Sequence, residues 1–123
     1  MTTGSGATSG KTILVAEDEY FIARGLVRHL EQAGAAVVGP VPTVAEALAA
    51  LESSAIDAAV LDINLRGELV YPVADALLAR GVPFIFATGY AASALPERYG
   101  AVERFEKPVD PEAFVRLFLR PGP

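Results

Sequence analysis

Short apolar runs separated by amphipathic segments occupy most of this chain, and this alternation is the feature that most restricts its fold. Most of the runs are almost continuously apolar, which is typical of strands buried on both faces of a sheet. They span residues 12–17, 36–41, 57–62, 83–88 and, less apolar, 102–107. Helical spacing or helix start signals occur at residues 19–33, 43–51, 72–80 and 110–119. Residues 91–100 predict at most a short helix, because Pro96 interrupts them.

Strands that alternate with helices in this way predict one α/β domain with a parallel sheet covered on both faces. Five such units predict a flavodoxin-like doubly wound (βα)5 fold, with a five-stranded parallel sheet in the order 2-1-3-4-5. The chain of 123 residues fits a single domain, which we place at residues 11–120. Residues 1–10 contain only Gly, Ser, Thr and Ala after Met1, and we interpret them as a flexible N-terminal tail.

The composition excludes several classes of function. The net charge is −5 and no cluster of Lys or Arg is present, so we expect no binding to nucleic acid, which needs a basic surface. The absence of cysteine excludes disulfides and thiolate metal sites. No apolar stretch approaches the roughly 20 residues of a membrane span, and the N-terminus lacks signal-peptide order. We therefore expect a cytoplasmic protein with no membrane contact.

Polar side chains with complementary chemistry close four of the predicted strands. Glu17 and Asp18 follow the first strand, Asp62 closes the third, Thr88 closes the fourth and Lys107 ends the fifth. In the predicted strand order the first and third strands are neighbours at the switch point, where doubly wound sheets place their active sites. We therefore expect these five side chains to meet at one edge of the sheet.

This set of side chains suits a divalent cation and a phosphoryl group. Carboxylate oxygens of Glu17, Asp18 and Asp62 are the ligands that Mg²⁺ prefers. An aspartate can accept a phosphoryl group covalently, and phosphoryl transfer mainly needs alignment and positive charge around the phosphoryl oxygens. The ammonium of Lys107 supplies that charge, and the Thr88 hydroxyl can donate a hydrogen bond. A single acid after a strand is often only a helix cap, but agreement at four strand ends favours a phosphoryl-acceptor site.

The same residues give the chain its resemblance to a known family. The segments 13–19, 60–64, 88–89 and 107–108 read Ile-Leu-Val-Ala-Glu-Asp-Glu, Val-Leu-Asp-Ile-Asn, Thr-Gly and Lys-Pro. Together these motifs resemble those of a response-regulator receiver domain, over nearly all of the chain after the tail. The resemblance implies a two-component phosphorelay protein that takes a phosphoryl group from a histidine kinase or a histidine phosphotransfer protein, with Mg²⁺ as cofactor.

The resemblance also implies a role for each matching residue. Asp62 would be the phosphoacceptor, Asp18 would bind Mg²⁺ directly, and Glu17 would bind it mainly through water. The backbone carbonyl of Asn64 would be a further metal ligand.

On the side of the phosphoryl group, Thr88 would be the switch hydroxyl and Lys107 the phosphate partner. The Lys107–Pro108 peptide bond would be cis, which an X-Pro bond allows at modest cost.

The string Phe-Ala-Thr-Gly-Tyr at residues 86–90 resembles a narrower receiver subgroup of alphaproteobacteria, in which most members are single-domain proteins. One position departs from the general family pattern. Most receivers carry an aromatic residue three positions before the strand-5 lysine, and this chain has Arg104 there. Tyr90 is the candidate replacement as switch aromatic, because it lies two residues after Thr88.

The last predicted helix carries two apolar stripes, one of Phe114, Leu117 and Phe118 and one of Val115 and Leu119. Only one stripe can face the sheet, so the other is a candidate docking or dimer surface. We therefore expect a monomer or a weak homodimer.

We therefore expect a stand-alone receiver that signals to an unknown downstream protein by contact, or serves as a phosphate sink or shuttle. We do not expect an enzyme beyond self-phosphorylation and self-dephosphorylation. Two alternatives stay open. An aspartyl-phosphate phosphatase usually has a second Asp two residues after its nucleophile, where this chain has Asn64. A phosphorylation-independent interaction module would not need the complete set of acids, Thr and Lys.

Overall fold

The computed structural model describes residues 10–89 and 95–118. The predicted tail lies outside these residues except for Gly10, and so does the candidate switch residue Tyr90. Within the described residues, no helix has the length and apolar character needed to cross a membrane.

A five-stranded parallel sheet forms the centre of the molecule. Its strands are β1 (Thr12–Ala16), β2 (Ala36–Val41), β3 (Ala58–Asp62), β6 (Phe84–Thr88) and β7 (Glu103–Glu106). They lie in the order β2-β1-β3-β6-β7. Since β6 and β7 are the fourth and fifth strands of this sheet, and β4 and β5 form a separate hairpin described below, the predicted order 2-1-3-4-5 is confirmed. Every residue of β3 and β6 is buried, as the continuous apolar runs require. The edge strand β7 is largely exposed, which explains why its apolar pattern is the weakest.

Four α-helices and one short 3₁₀ helix cover the sheet within the described residues. They are α1 (Tyr20–Gln32), α2 (Val44–Ser53), α3 (Tyr71–Ala79), the 3₁₀ helix (Glu97–Tyr99) and α4 (Pro111–Phe118). The buried side chains form two clusters, one holding residues from α2, α3 and the 3₁₀ helix and the other holding residues from α1 and α4. The flavodoxin-like α/β fold expected from the sequence is therefore confirmed.

A small antiparallel hairpin between β3 and α3 was not predicted. It consists of β4 (Asn64–Leu65) and β5 (Glu68–Leu69), joined through Arg66 and Gly67. Both joining residues have positive φ angles, 52° and 85°, as a two-residue loop of type I′ requires. Two-residue strands carry too little apolar pattern to be recognised in a sequence, and Arg is an unusual residue at such an angle.

The expected division of α4 into an inward stripe and an outward stripe is wrong in part. Phe114 and Val115, which the sequence places on different stripes, are both buried in the cluster shared with α1. Leu117, assigned to the same stripe as Phe114, is 48% exposed. Because α4 contacts α1 as well as the cluster beneath it, two adjacent side chains of the helix are buried; Leu119 lies outside the described residues.

An aromatic cluster fastens the 3₁₀ helix to α3 and β6. The fully buried Tyr99 packs against Tyr71 and Phe86, with ring centroids 5.3 and 5.2 Å away. Its hydroxyl donates a hydrogen bond of 2.6 Å to Asp75, which also accepts two hydrogen bonds from Arg98. Burial, and then the hydrogen bond to Asp75, raise the pKa of Tyr99 to about 12. The hydroxyl therefore stays a donor at physiological pH.

Tyr99→Ala is expected to lower the free energy of unfolding by about 3–5 kcal/mol, because it empties a buried aromatic position. Tyr99→Phe removes only the hydroxyl and is expected to cost about 1 kcal/mol. Urea denaturation measures both values. The matched control is Tyr20→Phe, since the Tyr20 side chain is exposed; equal losses in Tyr20→Phe and Tyr99→Phe would contradict the role of the Tyr99 hydroxyl.

Candidate functional site

The carboxyl ends of three central strands meet at one edge of the sheet, as the sequence predicts. Ala16 of β1 lies beside Leu61 of β3, and Asp62 lies beside Ala87 of β6, so that the residues following β1 reach the end of β3. A pocket of about 610 Å³ opens at this edge. Its lining residues are Asp18, Glu19, Asp62, Ile63, Asn64, Leu69, Tyr71, Thr88, Gly89 and Lys107.

Four acidic side chains converge in and beside this pocket. Glu17, Asp18, Glu19 and Asp62 each present a carboxylate oxygen, and these oxygens lie within 4.8 Å of one another. Glu17 and Asp62 are buried, whereas Glu19 is exposed. Hard oxygen donors at this spacing fit a divalent cation such as Mg²⁺, which binds one or two carboxylates and keeps several waters. The residues present therefore fit the cofactor that the sequence predicts.

The β4–β5 hairpin orients two of these acids. The backbone N–H of Arg66 donates to Asp18 Oδ2 at 2.9 Å, and the N–H of Asn64 donates to Asp62 Oδ1 at 3.2 Å. The side-chain oxygen of Asn64 accepts from the N–H of Gly67 at 2.8 Å and stabilises the hairpin loop. The hairpin thus holds each of the two aspartates through one carboxylate oxygen.

Lys107, the residue after β7, contacts the acidic cluster. Its Nζ lies 2.9 Å from Asp62 Oδ2, 2.8 Å from Glu19 Oε1 and 3.3 Å from Glu17 Oε1. The Lys107 side chain is 14% exposed, and those of Glu17 and Asp62 are each 8% exposed. Burial opposes the charge on Lys107, but the hydrogen bonds to Glu19 and Asp62 outweigh it and raise the pKa of the ammonium. The lysine therefore stays charged beside Asp62.

Glu17 holds its proton more tightly than an ordinary glutamic acid. Burial is the largest cause, and the nearby charge of Asp62 adds to it, against the opposing effect of a hydrogen bond from the Glu19 N–H. Together these effects raise the pKa of Glu17 from 4.5 to about 7. Crowded carboxylates without a cation behave in this way, and a bound cation favours the ionised form.

This pKa predicts how stability depends on pH. The folded protein binds the Glu17 proton more tightly than the unfolded chain, so the free energy of unfolding falls as pH rises from about 4.5 to about 7. The fall is expected to reach about 3–4 kcal/mol at most, because each pH unit between the two pKa values corresponds to about 1.4 kcal/mol. Urea denaturation with a chelator present measures it. Glu17→Gln should flatten the profile, and a fall that persists in Glu17→Gln would contradict the assignment.

The remaining predicted residues occupy the following positions. Thr88 is buried at the end of β6, and its carbonyl accepts from the N–H of Lys107 at 2.8 Å. The Lys107–Pro108 peptide bond is cis. Arg104 lies on β7 beside Phe86 of β6 and is exposed. The role of Tyr90 stays a prediction, because Tyr90 lies outside the described residues.

Two features of the site were missed from the sequence. The first is Glu19, which follows Glu17 and Asp18 directly and contacts Lys107 at 2.8 Å, and for which the sequence predicts no role. The run of three acids is visible in the sequence. The contact of the Glu19 side chain with a residue that follows a distant strand is not visible there. The hairpin that holds Asp18 was also missed, and its only signal was Gly67 after Arg66.

Comparison with known proteins agrees with this geometry. Residues 13–118 match the family described as response regulator receiver domain. No curated protein matches the chain. The solution structure of SdrG from Sphingomonas melonis Fr1 is 44% identical, covering 86% of this chain and 91% of that one, with a TM-score of 0.75.

Two further structures are similar. The BeF3-activated conformation of SdrG from Pseudomonas melonis Fr1 is 40% identical, covering 94% of this chain and 95% of that one, with a TM-score of 0.70. A response regulator receiver protein from Burkholderia phymatum is 25% identical, covering 87% and 90% of the two chains, with a TM-score of 0.72. Since the family match covers most of the chain and agrees with both the strand order and the acidic pocket, this protein belongs to the response regulator receiver domain family.

Proposed function

We propose that the protein is a single-domain response regulator that accepts a phosphoryl group on Asp62 from a phosphohistidine. The donor would be a histidine kinase or a histidine phosphotransfer protein, and the reaction would depend on Mg²⁺. The observation that carries this proposal is the placement of the Lys107 ammonium 2.9 Å from Asp62 inside the acidic cluster. Among the described residues, this cluster is the one group of three or more side chains whose spacing suits a metal ion.

The chemistry follows from these contacts. A carboxylate oxygen of Asp62 attacks the phosphorus atom, the bond between phosphorus and the histidine nitrogen breaks, and that nitrogen keeps the electron pair. Lys107 balances negative charge on the phosphoryl oxygens. Thr88 lines the same pocket, and its hydroxyl would donate a hydrogen bond to one of those oxygens. A divalent cation held by Glu17, Asp18, Asp62 and the carbonyl of Asn64 would supply further positive charge.

The output would be contact with an unknown downstream protein, or storage and return of the phosphoryl group as a sink or shuttle. Membership of the Phe-Ala-Thr-Gly-Tyr subgroup, and a switch role for Tyr90, are part of this proposal. The relative described in a BeF3-activated conformation supports it, because beryllofluoride imitates a phosphoryl group bound to an aspartate. Cytoplasmic residence, the binding of a bacterial kinase and a monomeric or weakly dimeric state belong to the same proposal.

Asn64 argues against a phosphatase with repeated turnover. A phosphatase that works through an aspartyl phosphate needs a general acid beside the nucleophile to protonate its leaving group. The residue two positions after Asp62 is Asn64, whose side-chain oxygen accepts from Gly67 in the hairpin loop. An amide cannot donate a proton in this way, so we propose that the protein is not a turnover enzyme.

The test is incubation of the purified chain with a small phosphodonor, such as acetyl phosphate or phosphoramidate, with Mg²⁺ and separately with a chelator. We expect one phosphoryl group per chain, sensitive to alkali as an acyl phosphate is, and only when Mg²⁺ is present. Steady release of phosphate from many equivalents of donor would favour the phosphatase. Failure to bind both Mg²⁺ and beryllofluoride would favour an interaction module that works without phosphorylation.

A further inference from the structure

Glu19 belongs to the acidic cluster but has no role in the proposed reaction. It is the residue preceding α1, in the N-cap position, where a side chain usually accepts a hydrogen bond from the first turn of the helix. Glu19 makes no such bond. Its carboxylate instead contacts Lys107 Nζ at 2.8 Å, across 88 positions of sequence. The Glu19 side chain therefore contacts Lys107 and does not cap α1.

The backbone of Glu19 is fixed in a way that directs this contact. Its carbonyl accepts hydrogen bonds from the N–H groups of Ile22 and Ala23 in the first turn of α1. Its own N–H donates to Glu17 Oε2 at 3.0 Å. The start of α1 and the buried Glu17 thus anchor the main chain of Glu19, and its half-exposed side chain extends over the pocket to Lys107.

The ammonium of Lys107 has three N–H donors, and three carboxylates surround it. Glu17 and Asp62 are the buried partners and are also candidate cation ligands, whereas the side chain of Glu19 is 55% exposed. A phosphoryl group on Asp62 would need Lys107 as its own partner. Glu19 therefore competes with that group for the lysine, and its negative charge also repels the phosphoryl oxygens. The same charge attracts a divalent cation.

We propose, on the basis of the phosphoacceptor function above, that Glu19 is a positioning residue for Lys107 that sets the balance between two affinities. It raises the affinity of the acidic cluster for the divalent cation and lowers the affinity of the site for the phosphoryl group. A role as an ordinary surface ion pair would instead leave both affinities unchanged, because such pairs contribute little.

Glu19→Gln tests this balance, because it keeps the size of the side chain and removes its charge. Mg²⁺ binding is expected to weaken by about three- to tenfold, whereas beryllofluoride binding at saturating Mg²⁺ is expected to tighten by about threefold or more. Titrations followed by backbone amide chemical shifts measure both affinities, and the amide of Arg66 reports on the site because it donates to Asp18. Opposite changes in the two affinities would not follow from a loss of structure.

Glu19→Asp separates contact from charge. The shorter side chain keeps the negative charge but cannot keep the 2.8 Å contact with Lys107 from the same backbone position. Mg²⁺ affinity is expected to stay within about twofold of the wild type, while beryllofluoride affinity rises toward that of Glu19→Gln. The matched control is Glu31→Gln, which makes the same charge change near the far end of α1. It should leave both affinities unchanged.

Three outcomes would overturn the inference: unchanged beryllofluoride affinity in Glu19→Gln, weaker beryllofluoride affinity in Glu19→Gln, or equal effects in Glu19→Gln and Glu31→Gln. Failure of the proposed function would look different, because the wild-type chain itself would then bind neither Mg²⁺ nor beryllofluoride.

Discussion

Asp62→Asn is expected to abolish phosphorylation of the chain by small phosphodonors and by a cognate kinase. The carboxylate oxygen of Asp62 is the nucleophile in the proposed reaction, and an amide in its place has no negative charge with which to attack phosphorus. Asp62 is also held from both sides, by the Asn64 N–H at 3.2 Å and by Lys107 at 2.9 Å. Incorporation of radioactive phosphate, compared with the wild-type chain, measures the loss.

Asp57→Asn is the matched control for this prediction. Asp57 lies just before β3, at the end of that strand opposite to Asp62, where its side chain accepts from the Thr12 N–H at 2.8 Å. Its replacement by Asn makes the same chemical change far from the pocket and should leave labelling intact. Labelling of Asp62→Asn at the wild-type level would show that another residue is the acceptor.

Lys107→Met is expected to have the second large effect, and to act on both stability and phosphorylation. The ammonium contacts two buried carboxylates, and loss of one partner from a buried ion pair typically costs about 3–5 kcal/mol. We expect a loss of about 3 kcal/mol at pH 8 with a chelator present, and a smaller loss near pH 5, where Glu17 is protonated. Beryllofluoride affinity should fall more than about tenfold, because the phosphoryl oxygens lose their ammonium partner.

Added Mg²⁺ distinguishes this electrostatic account from simple loss of packing. A cation at the acidic cluster replaces part of the missing positive charge, so Mg²⁺ should stabilise Lys107→Met more than it stabilises the wild type. The control is Lys11→Met, which changes the only other lysine of the chain, at an exposed position. Equal stabilisation of Lys107→Met and the wild type by Mg²⁺ would contradict the account. Urea denaturation with and without Mg²⁺ provides the comparison.

The sequence predicted the sheet and the placement of its site because both depend on local patterns that the fold keeps. The strands that end at Asp62 and Thr88 are buried along their whole length, so the residues before each polar end, 58–61 and 84–87, form an unbroken apolar signal. Once the strand order follows from the βα alternation, the polar residue at each strand end must reach the same edge. Glu17, Asp62 and Lys107 meet there through contacts of 2.9–3.3 Å.

Features that depend on a few residues or on tertiary contacts could not be predicted. The hairpin at Asn64–Leu69 consists of two strands of two residues each, and only its loop geometry identifies it. The prediction of a single inward stripe on α4 is wrong because the helix also contacts α1, and Phe114 and Val115 are buried together in the cluster they share with it. The contact of Glu19 with Lys107 depends on how α1 and β7 lie across the sheet, which spacing along the chain does not reveal.

Arg104 is the residue at which this chain departs from the usual receiver pattern, because most receivers have an aromatic residue at that position of the fifth strand. Arg104 lies beside Phe86, on an edge strand whose residues are mostly exposed. The aromatic rings near this part of the sheet come instead from Tyr71 and Tyr99, which pack on Phe86. Tyr71 also lines the pocket that holds Asp62 and Thr88. Changes in the amide shifts of Tyr71, Tyr90 and Tyr99 on adding beryllofluoride would show which of them responds.

The most direct test of the central claim is identification of the phosphorylated residue. The wild-type chain is incubated with acetyl phosphate and Mg²⁺, the acyl phosphate is reduced with borohydride, and the labelled residue is located by peptide mass spectrometry. We expect modification at Asp62 alone, and none when a chelator replaces Mg²⁺. Modification at Glu17, Asp18 or Glu19 instead of Asp62, or equal labelling of Asp62 without a divalent cation, would contradict the account.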